Sequence, residues 1–199
     1  MIIVARDCFV ALAMTSCLQF VILLCFQCNI TQTKGQIIQK SKEKQLQELV
    51  SFLRKAILAT YAGGGPENVS EESGFTEHDF SEKGWSYKDS YMGFFQSWGR
   101  ETVWLNGKLF WNQSYGGGMT GGFQRNAKFA EETFDFLKKA LSAGKNNKFR
   151  PRGPKEFSAN GWKYICRWQG DVCSFSGYER IIFQGRIVFK HNFFGGLVL

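Results

Sequence analysis

Two stretches decide how this chain folds: GWSYKDSYMGFFQSWGRETVWLNG at residues 84–107 and GWKYICRWQGDVCSFSGYERIIFQG at residues 161–185. They are two copies of one pattern. Phe80, Ser81, Gly84, Trp85, Tyr87, Gly93 and Ser97 align with Phe157, Ser158, Gly161, Trp162, Tyr164, Gly170 and Ser174. After one inserted residue, Gly99, Glu101, Val103, Gly107, Trp111, Tyr115, Gly117 and Gly118 align with Gly177, Glu179, Ile181, Gly185, Phe189, Phe193, Gly195 and Gly196. Each copy holds an apolar run, a two-residue turn (Asn106-Gly107 or Gln184-Gly185) and a second apolar run, the pattern of a tight β-hairpin. A preceding strand at about 85–93 and an edge strand at about 75–80 complete an antiparallel meander.

A helix precedes each meander. Leu46, Leu49, Val50, Leu53, Ile57 and Tyr61 recur at helical spacing and stop at the glycines after Ala62. Ala130, Phe134, Leu137 and Leu141 repeat this in AEETFDFLKKALSAG, which stops at Gly144, and SFLRKAI from Ser51 matches DFLKKAL from Asp135. The fold expected is α+β: two helix-plus-antiparallel-meander repeats, at about 46–120 and about 127–199, packed about a pseudo-two-fold axis. Half of the pattern offers too little core to fold alone.

Twenty Phe and six Trp can fill a substantial core, and the formal charge of +8 is compatible with an anionic partner without identifying one. Residues 8–33 carry no charge, and CFVALAMTSCLQFVILLCF within them is long enough to cross a hydrocarbon core of about 30 Å. Residues 1–30 therefore read as a membrane helix, 31–44 as a basic linker and 45–199 as the domain. Arg6 precedes the span and Lys34, Lys40, Lys42 and Lys44 follow it, so a single-pass topology would leave the domain in the cytoplasm. The alternative is a cleaved signal and a secreted or luminal domain. Four of the six cysteines lie in the apolar stretch, and Cys166 and Cys173 are spaced for neither a metal site nor a simple bridge.

TYAGGG at Thr60, YKDSYMGF with GRETVW around Asp89, FLKKAL, RGP at Arg152 and the closing GDVCSFSGYERIIF with FFGGLV together resemble a bacterial and archaeal family described only as domain of unknown function 5680. The resemblance covers about residues 46–199. It implies no reaction or ligand; the helix-turn-helix segments fused to some members imply a sensor or effector role. Trp111-Asn112-Gln113-Ser114-Tyr115 departs from the family's W-x-M-N-Y-x-G.

Among chemistry-bearing residues, Glu101 and Glu179 stand out. Each begins a hairpin strand among aromatic rings, and a pseudo-two-fold would make them symmetry mates. They could pair with Arg100 or Arg180, bind a cation beside π faces, or act as acid or base if burial raises a pKa. Asp89 has no acidic counterpart, because Cys166 occupies its place. His78 and His191 belong to no recognisable triad or metal spacing, and the basic run GKNNKFRPRGPK offers Lys148, Arg150, Arg152 and Lys155 to an anion or lipid.

The leading expectation is a membrane-anchored, non-enzymatic ligand-binding or sensory domain. Its pocket would lie between the repeats, lined by Trp85, Tyr87, Trp104, Trp162 and Tyr164 with Asp89, Glu101 and Glu179. The alternatives are an enzyme using Asp89 with Glu101 or Glu179 as acid/base carboxylates, and an adaptor touching anionic membrane through the basic loop. Expected partners are the membrane and a small molecule rather than nucleic acid, with no cofactor and no metal.

Overall fold

The computed structural model describes residues 36–69, 74–143 and 148–198. Residues 36–47 are helical and belong to a unit separate from the compact domain that begins at Glu48. In that domain, α1 (helical at 48–59) is followed by β1 (Asn68–Val69), β2 (Thr76–Glu82), β3 (Trp85–Met92), β4 (Gln96–Leu105) and β5 (Lys108–Met119). Then come α2 (Ala127–Ser142), β6 (Glu156–Ala159), β7 (Trp162–Asp171), β8 (Ser174–Phe183) and β9 (Arg186–Leu197).

The strands form one nine-stranded sheet in the order β1-β2-β3-β4-β5-β9-β8-β7-β6. All its pairings are antiparallel, and the two meanders join where β5 meets β9. This confirms α+β with an antiparallel sheet. Tight turns set the register of both halves. Lys83-Gly84, Asn106-Gly107, Asn160-Gly161 and Gln184-Gly185 all have positive φ at both residues, the geometry a two-residue hairpin demands. Asn tolerates this conformation well; Gln184 accepts it because the hairpin around it is paired on both sides.

The halves match in packing as well as in pairing. Phe52 of α1 lies 5.6 Å from Phe80 and 5.7 Å from Trp85, at interplanar angles of 34° and 27°. Phe136 of α2 lies 5.6 Å from both Phe157 and Trp162, at the same angles. The buried helical stripes are Leu49, Phe52, Leu53 and Ala56 in α1, and Ala130, Thr133, Phe136, Leu137, Ala140 and Leu141 in α2. Each is rotated from the stripe expected from spacing, because the Phe-on-Trp stack sets which face turns to the sheet. The Asn126 side chain caps α2 by accepting from Phe129 N at 3.1 Å.

Two expectations are corrected. Among the described residues no helix is long and apolar enough to cross a membrane, so a membrane-spanning anchor, the membrane as partner and a single-pass topology with a cytoplasmic domain are not supported. The stretch 1–30 on which they rested lies outside the described residues. The inserted residue also sits earlier than the alignment has it. Ser97 pairs with Gly117 and Phe175 with Gly195, so Phe175, and not Ser174, is the counterpart of Ser97.

Removing either stacked ring should cost a similar amount. Phe52→Ala and Phe136→Ala are each expected to lower the unfolding free energy by about 3–5 kcal/mol in urea denaturation. One variant near wild type beside one that is badly weakened would show that the halves do not carry equal loads.

Candidate functional site

Strand alternation and register place the polar residues in two rows on the helix-covered face. In the first, Asp89 on β3, Glu101 on β4, Gln113 on β5 and Gly195 on β9 stand opposite one another, and Phe175 on β8 follows. In the second, Cys166 on β7, Glu179 on β8, His191 on β9, Gly117 on β5 and Ser97 on β4 do the same. The rows are pseudo-symmetric position by position, and they differ in chemistry at every position except the glycine and the glutamate.

Arg152 joins them. It arrives from the loop before β6, is 7% exposed, and donates from Nη1 to Glu101 Oε1 at 2.9 Å and from Nε to Glu179 Oε1 at 3.0 Å. Its guanidinium also lies 4.6 Å from the Tyr115 ring. The glutamates therefore pair with neither Arg100 nor Arg180. Arg152, expected in a surface anion site, is the internal counter-ion of both. Of the other residues in that run, Arg150 donates to the Ala143 carbonyl at 2.6 Å, Lys155 is exposed beside Trp168 and Lys148 is exposed.

The two carboxyls are not in the same state. Burial alone would raise Glu179, but Arg152, the hydrogen bond from His191 Nδ1 at 3.2 Å and that from the Tyr164 hydroxyl at 2.6 Å outweigh it and hold Glu179 at about 2. The Tyr164 hydroxyl is fixed in turn by accepting from Gly153 N at 3.0 Å. Glu101 is pushed up to about 8 by burial, with Asp89 adding to the effect against Arg152. Its Oε1 also accepts from Gln113 Nε2 at 3.1 Å, whereas its Oε2 is buried without a protein partner. Asp89 accepts from the Tyr115 hydroxyl at 2.8 Å and is raised by burial. Burial lowers His191, leaving its imidazole neutral near pH 7, so its contact with Glu179 is a hydrogen bond and not an ion pair. Desolvation raises the Cys166 thiol to about 12, which leaves it inert.

A cavity of about 50 Å³ opens over this network, lined by Tyr61, Tyr87, Asp89, Glu101, Tyr115 and Arg152 among others. An outer one of about 320 Å³ adjoins it, and the two share Tyr61, Tyr91, Ser97, Leu137 and His191. Of the residues expected to line a pocket, Tyr87, Asp89 and Glu101 do so. Trp85 and Trp162 are stacked under Phe52 and Phe136 instead, Trp104 is half-buried in the β4–β5 hairpin, and Tyr164 and Glu179 are fully buried, bonded to each other, and line neither cavity. The space is thus offset toward the first repeat rather than centred between the two. Sequence reasoning missed Ser97, Tyr115 and His191 as site residues. The alignment already set Tyr115 against Phe193, His191 against Gln113 and Asp89 against Cys166, each a change of chemistry between repeats; placing the insertion correctly adds Ser97 against Phe175. Among the described residues no group of three His, Cys, Asp or Glu is arranged to hold a metal ion.

The family model of the domain of unknown function DUF5680 matches residues 89–198, more than half of the chain and every residue of both rows. The chain belongs to this family. Comparison with curated proteins and with solved structures returned no match. The DUF5680 match begins at Asp89 itself and takes in Glu101, Arg152, Glu179 and His191.

The two glutamates pull stability in opposite directions with pH. Folded Glu101 keeps its proton to about 8, whereas the unfolded chain releases it near the ordinary 4.5, so stability should fall as pH rises between those values. Glu179 contributes fully above the ordinary value, and that contribution is lost as pH falls toward about 2. Urea unfolding from pH 5 to 8 should show a decline of up to about 1.4 kcal/mol per pH unit, and Glu101→Gln should flatten it. A decline that persists unchanged in the variant would assign it to other groups.

Proposed function

We propose that this domain is an enzyme whose acid/base chemistry is carried by Asp89 and Glu101. The observation that carries the reading is their direct pairing across β3 and β4 on the floor of a cavity. Directly opposed residues of an antiparallel pair hold their Cβ atoms roughly 5 Å apart. Both carboxyls are buried and Asp89 raises Glu101, so the pair holds one proton between them rather than ionising together. One is then an acid and the other a base at the same pH, the division that general acid/base catalysis needs.

The surroundings support roles for each. Glu101 is the acid, with Oε1 held by Arg152 and Gln113 and Oε2, which has no protein partner, left to carry the transferable proton. Asp89 is the base, oriented by the Tyr115 hydroxyl. Glu179 belongs to neither role, since Arg152, Tyr164 and His191 occupy both of its oxygens and keep it ionised. Arg152 and Glu179 cancel, and the Asp89–Glu101 pair with its one proton leaves a single negative charge. Together with the Tyr61, Tyr87, Tyr91 and Tyr115 rings, that favours a small neutral or cationic substrate. The membrane-anchored, non-enzymatic reading is not retained, because the anchor it required is not found among the described residues.

A generic proton-abstraction probe tests this without a known substrate. 5-Nitrobenzisoxazole opens to a coloured phenolate when a base removes its C3 proton. The wild-type chain should accelerate that opening at least about 100-fold over the D89N/E101Q double variant, with a rate that is highest where the pair holds one proton and falls as that shared proton is lost near pH 8. Equal rates in two folded proteins would remove the carboxylate pair as a reactive centre.

A further inference from the structure

The second row of the sheet carries a different device, which the acid/base reading does not use. Ser97 Oγ lies 3.1 Å from His191 Nε2, and His191 Nδ1 lies 3.2 Å from Glu179 Oε1. We propose that Ser97, His191 and Glu179 form a nucleophilic relay that cleaves small carboxylic esters. This goes beyond the carboxylate-pair reading, although both open on the same space.

The direction of each hydrogen bond follows from the groups themselves. An ionised carboxylate can only accept, and Glu179 is kept ionised by Arg152 Nε at 3.0 Å and by Tyr164. His191 Nδ1 must therefore be the protonated nitrogen and the donor. The buried imidazole is neutral, so Nε2 bears a lone pair, and the Ser97 hydroxyl donates to it. This is the tautomer a general base for serine requires, oriented by a third group that does not itself take the proton.

The backbone makes room for the arrangement. Ser97 and His191 stand on strands separated by β5, and the residue between them in the row is Gly117. Its φ is +138°, and a Cβ there would lie 2.2 Å from the Lys190 carbonyl oxygen, so glycine is required and no side chain intervenes between hydroxyl and imidazole. The pseudo-symmetric row has Phe175, Gly195, Gln113 and Glu101 in these places. Its Phe175 ring closes over Gly195, so the relay exists once, on the side where the cavities lie. Ser97 lines both, at their junction. The outer cavity is lined by Phe94, Phe134, Leu137 and Phe189, which suits an apolar acyl group. Protonated Glu101, whose Oε2 has no protein partner, and Arg152 are among the residues that line the inner one and can stabilise a developing oxyanion.

The chemistry balances with water as the only co-reactant. Ser97 Oγ bonds to the ester carbonyl carbon as its proton passes to His191 Nε2. The C–O bond to the alcohol breaks, and the leaving oxygen takes that proton. Water then attacks the acyl-Ser97 bond, gives a proton to Nε2 as it does so, and Ser97 recovers it as the acid departs.

The test is covalent labelling of the full chain with an alkyl fluorophosphonate, mapped by peptide mass spectrometry and run beside hydrolysis of p-nitrophenyl acetate. A phosphonyl adduct on Ser97 is expected, with ester hydrolysis that Ser97→Ala abolishes and His191→Gln slows at least about 100-fold. His191→Gln installs the residue that the other repeat carries at the equivalent position, so the fold has a precedent for it. No adduct on Ser97 in folded protein, or an adduct that forms as fast in His191→Gln, would overturn the relay. The two readings fail separately: labelling without benzisoxazole opening sinks the carboxylate pair alone, and opening without labelling sinks only the relay.

Discussion

The buried guanidinium of Arg152 is the interaction on which the rest of this domain depends. It reaches Glu101 and Glu179, the glutamate pair that is buried in both copies of the repeat, and so it ties the two meanders together across β5 and β9. One cation cannot fully neutralise two carboxylates. A second buried cation would be costly to desolvate, and the structure resolves the excess by leaving one glutamate ionised and the other protonated. The difference is decided by neighbours. Glu179 has a tyrosine hydroxyl and an imidazole to accept from; Glu101 has a neutral amide and the carboxyl of Asp89.

From that asymmetry the chemistry follows. The second repeat keeps its glutamate charged, which orients His191 and through it Ser97. The first repeat keeps its glutamate neutral, with one oxygen left without a protein partner and Asp89 opposite it on the next strand. A duplicated scaffold has thus used the same structural position for two electrostatic tasks. Duplication supplies two copies of the packing, including the matched Phe-on-Trp stacks, and leaves the interior row positions free to diverge. The first-repeat residues Asp89, Ser97 and Tyr115, together with His191, line the inner cavity.

Much of the fold was legible. The hairpin turns at Asn106-Gly107 and Gln184-Gly185, the two helices and the repeat itself all follow from local rules, because a two-residue turn fixes strand register and a helical stripe needs no long-range information. The helical faces were displaced because periodicity gives an angle but cannot say which aromatic partner will set it. The insertion was misplaced by a few residues, since Ser97 and Ser174 look alike in a string and only strand pairing shows that Phe175 is the true counterpart. That small slip hid the loss of symmetry at Ser97, and with it the residue's neighbours.

The sequence by itself determined the α+β class, the duplication and the turn positions, and it singled out Glu101, Glu179 and Asp89, since these rest on composition, spacing and internal comparison. Tertiary structure alone decided that a loop arginine from a basic run turns inward to pair with both glutamates, that Asp89 faces Glu101, and that His191 stands between Glu179 and Ser97. The physical reason is that pKa and reactivity belong to an environment, not to a residue. Desolvation and hydrogen-bond partners come from segments as far apart as Ser97 and His191, and only the closed sheet brings them within reach.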